Sequence, residues 1–576
     1  MGATARRIIP GLVTGLCLGL LALGPGLRRG FLLSYDMVFV PREPFGAALP
    51  GLVPPRAVPS DLAIAAASRI VPADITQKLV LLAIFVLGCA GIAALLDREP
   101  LPARLAGGVC YAWNPYVGER LIIGQWALLL GYAGLPWALR AVVRPDDAPW
   151  RWTGRLCLSL VPAMIGGFAA MAITALVVVP AVFVPGGRPP GDPPPGGNHS
   201  PRPPWGRNHP PRPPWGRNHP PRPPWGRNHP LRSVRRAGLA LAALTAGSLP
   251  WLIPSLQHRV YVDPASVAAF AARADTPFGT VGSLLMLGGT WNAQTVPKAY
   301  GGAWSALWLV VVLVGLAGYL ASVRQRRWPG LGIAAAAGFL IAAIGVSAAG
   351  RDLLTTVTGA WPGAAVLRDG QQFVAPLALA EATGFGVAVA WTMNLLPFRA
   401  TGREQERPVS MDRTAVTLGV LALLAPVLLL PGLAWGAAGR LSPAWYPAGW
   451  LAAARMIDAS PARGDVLLLP WATYRTPSWN HGEVMFDPWS RLLSRPVIWN
   501  DGTRVGGVTL APDDPRALRL DAIIGSGGPL TAVLRAAGVR FVLDDPDGPG
   551  QQVSARLPGA VVLVNQPGLT VYRLPG

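Results

Sequence analysis

The strongest constraint on the fold is a series of apolar runs about as long as a bilayer is thick. Residues 9–27 and 77–96 are the first two, and each can cross the hydrocarbon core as a helix. Further runs, some of them short, follow at 104–115, 125–143, 155–166, 168–184, 237–254, 303–322, 331–348, 373–396 and 414–435. The sequence therefore predicts an α-helical, multi-pass membrane protein with about eleven spans.

The composition agrees with this class of protein. The chain is 51% hydrophobic and 14% charged, with a mean hydropathy of +0.37, whereas soluble domains carry about 25% charged residues. The formal charge of +21 at first suggests nucleic acid. The arginines, however, concentrate in alternate loops, as the positive-inside rule requires, and such loops attract anionic lipid headgroups. We therefore expect contact with membrane lipids and no nucleic-acid partner.

The arginine-rich loops also predict the orientation. They place the N-terminus in the cytoplasm of a cell whose plasma membrane the chain crosses, and the loops 28–76, 255–302 and 349–372 on the outside. The arginines assigned to the inside are Arg98, Arg104, Arg144, Arg151, Arg155, Arg324, Arg326, Arg327, Arg399, Arg403, Arg407 and Arg413.

The chain divides into four parts. Helices with a large first outer loop come first, then a proline-rich cytoplasmic loop, then more helices and an extracytoplasmic tail: 1–187, 188–236, 237–436 and 437–576. The second part repeats Pro-Arg-Pro-Pro-Trp-Gly-Arg-Asn-His-Pro at 201–210, 211–220 and 221–230. Such proline density favours an extended, disordered spacer, although binding to RNA, a lipid surface or an SH3-like partner remains an alternative.

The tail has a different pattern. Short apolar runs begin at Asp465, Val539, Ala560 and Leu569, and helical stretches at 447–459 and 529–537 precede the first two. Strands that alternate with helices indicate a small α/β domain.

The first outer loop holds the candidate catalytic residues, Asp36 and Glu43. Asp36 follows the first span closely and has apolar and aromatic neighbours, as a partly desolvated general base requires. Arg42 lies beside Glu43, and Asp61 comes later in the same loop. The alternative is that Asp36 caps a helix or pairs with Arg42.

Other outer segments carry candidate substrate-binding residues. Arginine binds phosphate oxygens in pairs, and these arginines lie outside, against the positive-inside trend. A buried Glu119–Arg120 pair that only locks a hairpin is the alternative for that segment. The candidates, besides Arg42, are Glu119, Arg120, Gln125, His258, Arg259, Arg273, Asp275, Arg368 and Gln371.

Metal and cofactor signals are weak. The four cysteines all lie in predicted helices, and no Cys/His cluster occurs, so we expect neither disulfides nor a metal site. No cofactor is expected, and the use of a divalent metal is left open.

The stretch Ala73-Asp-Ile-Thr-Gln-Lys-Leu and the later stretch Ala103-Arg-Leu-Ala-Gly-Gly-Val-Cys-Tyr-Ala-Trp-Asn-Pro115 resemble a known family. With the acidic first outer loop, they are similar to the GT-C glycosyltransferases, in particular to the actinobacterial cell-wall arabinofuranosyltransferases. The resemblance covers roughly residues 1–400.

The resemblance implies a GT-C-like fold and an inverting transfer from a polyprenyl-phosphate-linked sugar to a cell-envelope glycan or lipid. Asp36 would be the general base, and outer arginines would hold the phosphate. Asp36, Arg120, Arg273 and Arg368 are then expected to converge on one outward cavity. An aromatic and polar cluster in the tail would hold the acceptor: Trp471, Tyr474, Trp479, Asn480 and His481.

Two other functions fit the same features. The first is a non-enzymatic transporter or flippase for a lipid-linked glycan, and the second is a scaffold for an envelope complex. An essential Asp36 would favour the enzyme.

Overall fold

A computed structural model describes residues 3–45, 58–144, 148–184, 186, 230–257, 261–395, 413–546 and 553–576. Helices α1–α17, some of them short, form the membrane part and the segments that connect its spans. Their bounds are Ala3–Leu23, Ser60–Ala67, Ala73–Leu95, Leu101–Ala112, Pro115–Ile122, Trp126–Val143, Pro149–Gly166, Phe168–Phe183, Pro230–Gln257, Ala265–Ala269, Gly279–Leu285, Trp304–Arg324, Pro329–Ile344, Ala348–Ala360, Ala375–Leu395, Arg413–Leu429 and Ala434–Ala438.

The chain is a multi-pass membrane protein, but the expected count of about eleven spans is not confirmed. Within the described residues, six helices are long and apolar enough to cross a bilayer, or eight if two sharply bent pairs each count as one span. The pair α13–α14 bends by 94°. Helices α4 and α8 have only 12 and 16 residues. Such short or broken helices are tolerated where protein surrounds them.

Glycines allow the long helices to approach closely. A Cβ on Gly384 of α15 would lie 1.9 Å from the carbonyl oxygen of Gly315 in α12, and one on Gly15 of α1 would lie 2.6 Å from that of Phe85 in α3. Small residues let helix backbones touch where the hydrophobic effect no longer favours association. These contacts fix the bundle that carries the outer loops.

One end of the bundle carries the arginine-rich loops. Arg140 forms a salt bridge with Asp97 at 3.2 Å, and Arg327 forms one with Glu99 at 2.7 Å. The second bridge joins the α3–α4 loop to the α12–α13 loop, which the arginine pattern assigned to the same side.

Helix α9 begins the second membrane part. It starts at Pro230, the last residue of the third repeat, although the disordered segment was predicted to continue to residue 236; repeat residues 201–229 lie outside the described residues. Apolar residues from Ala237 onward support the helix, which extends back by about two turns.

The tail contains a sheet, and its predicted strands and helices are confirmed. Parallel β3, β6 and β9 continue into the antiparallel β11 and β10, in the order β10-β11-β9-β3-β6. Helices α18–α21 are Ala448–Ala459, Trp489–Leu492, Pro515–Gly525 and Thr531–Ala536. Strands β1–β11 are Phe31–Leu32, Pro443–Ala444, Asp465–Leu469, Tyr474–Arg475, Met485–Phe486, Val497–Ile498, Arg504–Val505, Val508–Thr509, Val539–Asp544, Val561–Gln566 and Leu569–Arg573.

Candidate active site

Immediately after α1, the first outer loop is held by the tail on one side and by α3 on the other. Strand β1 pairs with β2 of the tail, with Phe31 opposite Ala444. On the other side, the Gln77 side-chain amide bonds to the backbone of Leu32, accepting at 2.9 Å and donating at 2.7 Å. A glutamine of α3 thus takes the place of a neighbouring strand, and the chain that leads to Asp36 has a defined path.

The backbone at Asp36 is held by the C-terminal end of α5. The Asp36 N–H donates to the carbonyl of Ile123 at 3.0 Å, and the Ser34 hydroxyl donates to that of Ile122 at 2.6 Å. Tyr35 has φ +45°, which is unusual for a residue with a side chain. Backbone strain of this kind often occurs at functional sites, and here it turns the chain so that Asp36 faces the tail.

The Asp36 side chain is half-buried and has a hydrogen-bond partner in the tail. Tyr474 in β4 donates its hydroxyl to Oδ1 of Asp36 at 2.7 Å. The backbones are also joined, because Tyr35 donates to Val484 at 2.7 Å and Phe486 donates to Tyr35 at 2.8 Å. Backbone hydrogen bonds therefore join the β4–β5 hairpin of the tail to the loop that carries Asp36.

Asp36 opens on a cavity of about 390 Å³ between the helices and the tail. One wall is apolar and is formed by the ends of α6, α7 and α8, including Leu128 and Phe168. The opposite wall belongs to the tail and includes Tyr474, Trp499 and Asp501. Ligand pockets are commonly of this size and combine an apolar lining with a few polar groups.

Glu43 lines the same cavity, beside Asp61 and Arg491. Arg491 donates to Asp61 at 3.1 Å and 3.4 Å and lies 4.0 Å from a Glu43 oxygen. Burial, and next the Asp61 carboxylate, raise the pKa of Glu43 well above its usual range, while Arg491 opposes the shift. A protonated Glu43 can donate to Asp61, so this cluster joins the loop to the tail.

Arg368 also lines the cavity, together with Gln125 and Asp369. The Arg368 guanidinium lies over the Phe270 ring at 4.9 Å and is 3.7 Å from an Asp513 oxygen. Asp369 interrupts the helical backbone at this point, with φ −92° and ψ 57°. This kink presents both neighbouring charges to the cavity.

Glu119 and Arg120 are buried and are not among the residues that line the cavity. Both are about 1% exposed, and their charged atoms are 3.9 Å apart. The Arg120 guanidinium covers the Tyr116 ring at 5.1 Å, and Glu119 is next to Asp275. Burial raises the pKa of Asp275, whose side chain accepts from the Gly289 N–H. This geometry agrees with the alternative of a structural pair.

The expected convergence of four residues on one cavity is thus only partly observed. Asp36 and Arg368 line it, whereas Arg120 and Arg273 do not. Gln371 is 1% exposed and donates to the Phe270 carbonyl at 3.4 Å, beside the lining residue Gln372. Arg42 is exposed and outside the lining. His258 and Arg259 lie outside the described residues.

Of the five residues expected to form an acceptor cluster in the tail, Tyr474 lines the cavity. Trp479 packs on the rings of Tyr446 and Trp450, each at 5.3 Å. Trp471 donates to Asp521 at 2.8 Å, Asn480 to the Leu33 carbonyl at 3.1 Å, and His481 contacts the Pro443 carbonyl at 3.1 Å. Asn480 therefore joins the tail to the first outer loop, whereas the contacts of Trp471, Trp479 and His481 lie within the tail.

Residues that were not among the predicted site residues also line the cavity, among them Asp61, Asp369 and Arg491. Tyr474, predicted to hold an acceptor, lies there as a partner of Asp36. Asp369 could have been predicted from the sequence, because it directly follows the candidate Arg368. The part of the chain that the structure describes contains no group of three or more His, Cys, Asp or Glu side chains placed to hold a metal.

Helices that carry an acidic loop after α1, a cavity at one end of the bundle and an α/β tail over it form a fold that is similar to solved glycosyltransferase structures. The chain is similar to the solved structure of the arabinofuranosyltransferase AftD from Mycobacteria, with a TM-score of 0.57 and 16% identity over 99% of this chain. A variant of AftD gives 0.60 at the same identity and coverage. The chain spans about two fifths of the length of AftD, 40% and 42% in the two structures.

The chain also matches the solved structure of ArnT from Cupriavidus metallidurans bound to undecaprenyl phosphate, with a TM-score of 0.41 and 13% identity. This match covers 99% of the present chain and 98% of ArnT. The chain matches no protein-family model and no curated protein.

Proposed function

We propose that this chain is an inverting membrane glycosyltransferase that moves a sugar from a polyprenyl-phosphate donor to a cell-envelope glycan or lipid. The observation that carries the proposal is the position of Asp36. Its carboxylate lies in a cavity with apolar helix ends on one side and polar tail residues on the other. The apolar wall suits the lipid part of a lipid-linked sugar, and the polar wall suits a hydrophilic acceptor. The similarity to the GT-C fold supports the same function.

In the proposed reaction, Asp36 accepts the proton of an acceptor hydroxyl. The hydroxyl oxygen attacks the anomeric carbon from the side opposite the phosphate, and a new glycosidic bond forms. The bond between the anomeric carbon and the phosphate oxygen breaks, and polyprenyl phosphate leaves with the electron pair. A half-buried carboxylate near an apolar wall suits a general base, because partial desolvation strengthens its interaction with the proton.

Arg368 is the proposed partner of the donor phosphate. Its planar guanidinium can bind two phosphate oxygens and stabilise the charge that grows as the bond breaks. The lipid chain would follow the apolar wall at Leu128 and Phe168. Because AftD is an arabinofuranosyltransferase by name, a polyprenyl-phosphate arabinofuranose is the first donor to test.

The proposal places the site outside the plasma membrane. The salt-bridged arginine loops lie at one end of the bundle, and Asp36 with the tail lies at the other. By the positive-inside rule the arginine end is cytoplasmic. Glu43, proposed first as a second catalytic residue, is better suited to hold the loop against Arg491.

The test is transfer by the purified full chain in liposomes. Radiolabelled polyprenyl-phosphate sugars, arabinofuranose first, are offered with a synthetic oligosaccharide acceptor. Asp36→Asn is expected to abolish transfer while lipid binding remains, and Asp352→Asn, an exposed change on α14, to leave both intact. Transfer by Asp36→Asn at the wild-type rate, or no transfer by the wild type from any donor, would reject the proposal.

A further inference from the structure

We infer that Tyr474 is a positioning residue for Asp36, so that the tail completes the active site instead of only binding an acceptor. The inference rests on the proposed function. Its basis is the 2.7 Å hydrogen bond from the Tyr474 hydroxyl to Asp36 Oδ1. This length is typical of a hydroxyl that donates to an ionised carboxylate. A carboxylate accepts about four donors, so the tyrosine and a substrate hydroxyl can bind the same group.

Two separate parts of the protein determine where the carboxylate lies. The membrane part fixes the backbone, since Ile123 and Ile122 accept from Asp36 and Ser34. The tail fixes the side chain through Tyr474. A carboxylate on a fixed backbone still rotates about two side-chain bonds, and a half-buried base has to present one oxygen to the acceptor hydroxyl. The Tyr474 hydroxyl on Oδ1 favours the rotamer in which this happens.

Tyr474 is itself held rigidly. Its ring makes edge contacts with Tyr35 at 5.8 Å and with Phe486 at 6.2 Å. The next residue, Arg475, has a 4% exposed side chain and bonds to Asp487 at 3.2 Å and to Asp545. Buried, paired groups of this kind cost several kcal/mol to separate. The strand that carries Tyr474 is therefore anchored in the tail immediately beside the hydroxyl.

Other charged groups line the same cavity. The segment before α15 contributes Arg368 and Asp369, the first outer loop contributes Glu43 and Asp61, and α19 contributes Arg491. The segment before α10 contributes Asp263, and further tail segments contribute Arg495, Asp501 and Asp513. Arg491 bonds to Asp61. The Tyr474 hydroxyl bonds directly to the Asp36 carboxylate, which makes this hydroxyl the group to test.

The experiment compares Tyr474→Phe with Tyr446→Phe in the liposome assay. Tyr446 offers a matched control, because its hydroxyl also joins the tail to the first outer loop, donating to the Phe39 carbonyl at 2.9 Å. Each change removes one phenol hydroxyl from the same interface, but only Tyr474 touches Asp36. Unfolding temperatures of both variants in detergent show whether each is folded.

For Tyr474→Phe we expect kcat to fall about tenfold or more, with little change in the acceptor KM. The acidic limb of the pH–rate profile should move to higher pH, because a donor to a carboxylate stabilises its ionised form. Tyr446→Phe should keep the wild-type kcat and pH profile. If Tyr474→Phe behaves as wild type, or if Tyr446→Phe causes the same losses, the positioning role is wrong.

Asp36→Asn separates this inference from the proposed function. If Asp36→Asn is inactive and Tyr474→Phe is normal, only the positioning role fails. If Asp36→Asn transfers sugar normally, the proposed function fails, and the role of Tyr474 fails with it.

Discussion

Arg491 donates two hydrogen bonds to Asp61, at 3.1 Å and 3.4 Å, across 430 residues of chain. Both side chains line the cavity that contains Asp36. The pair is partly exposed on the arginine side, at 20%, and buried on the aspartate side, at 8%. It therefore joins the tail to the first outer loop in a partly desolvated setting, where loss of one partner is more costly than at the surface.

Arg491→Ala is expected to destabilise the protein, because Asp61 and Glu43 then lie together without a cation. We expect the free energy of unfolding to fall by about 2–4 kcal/mol. This is less than for a fully buried pair, because the arginine is partly exposed. Arg519→Ala, an exposed arginine on α20, is the matched control. Thermal unfolding followed by tryptophan fluorescence measures both, and equal unfolding temperatures would show that the pair contributes nothing.

Glu43→Gln should remove a pH dependence of stability. Because the pKa of Glu43 in the folded protein lies well above its usual range, the folded state holds this proton more tightly than the unfolded state. The contribution of protonated Glu43 to the free energy of unfolding is complete at pH values below the pKa of an unfolded glutamate, about 4.3. It is lost as the pH rises from there through the raised value.

The unfolding temperature of the wild type is therefore expected to fall across that window more steeply than that of Glu43→Gln. Scanning fluorimetry at a series of pH values measures the difference. Parallel curves for the two proteins would contradict the prediction.

Arg368→Ala is expected to raise the donor KM by about tenfold, which corresponds to the loss of one charge-assisted phosphate contact. Arg368→Lys should recover only part of the effect, since a lysine cannot bind two oxygens with a planar fork. Arg455→Ala, which changes an exposed arginine on α18, serves as the control. An unchanged donor KM in Arg368→Ala would exclude this residue as the phosphate partner.

Gly384→Ala should separate α12 from α15. The added methyl group would lie 1.9 Å from the Gly315 carbonyl oxygen, so the helices have to move apart. We expect a loss of about 1–3 kcal/mol, as is common for overpacked interiors. Gly154→Ala on α7 is the control, because a Cβ there meets no atom within 4 Å. A lower unfolding temperature in the control than in Gly384→Ala would rule out this packing argument.

The sequence was sufficient for the class of fold and for four of the cavity residues, Asp36, Glu43, Gln125 and Arg368. Apolar runs near 20 residues predict helices directly, and the loop after the first span places Asp36 near the membrane surface. Arg368 follows from its position directly before a span. These predictions depend on local pattern and on the bilayer, so they need no knowledge of tertiary contacts.

The remaining site residues depend on contacts between distant segments. Tyr474 and Arg491 reach the cavity only because the tail docks on the first outer loop, and no local pattern encodes that docking. Arg120 illustrates the opposite case. Asn114 caps α5 by accepting from the Val117 N–H at 3.0 Å, and this short helix turns into the protein. An arginine that looks interfacial in the sequence is consequently buried against Tyr116.

The Tyr474–Asp36 bond has a consequence for biosynthesis. The two residues are 438 positions apart, so a ribosome makes the acid long before its partner. Throughout that interval the nascent polypeptide has a complete loop without the hydroxyl that orients it. If the tail is needed as inferred, a newly inserted molecule stays inert towards any lipid-linked sugar until the tail has been made and has folded against the first outer loop.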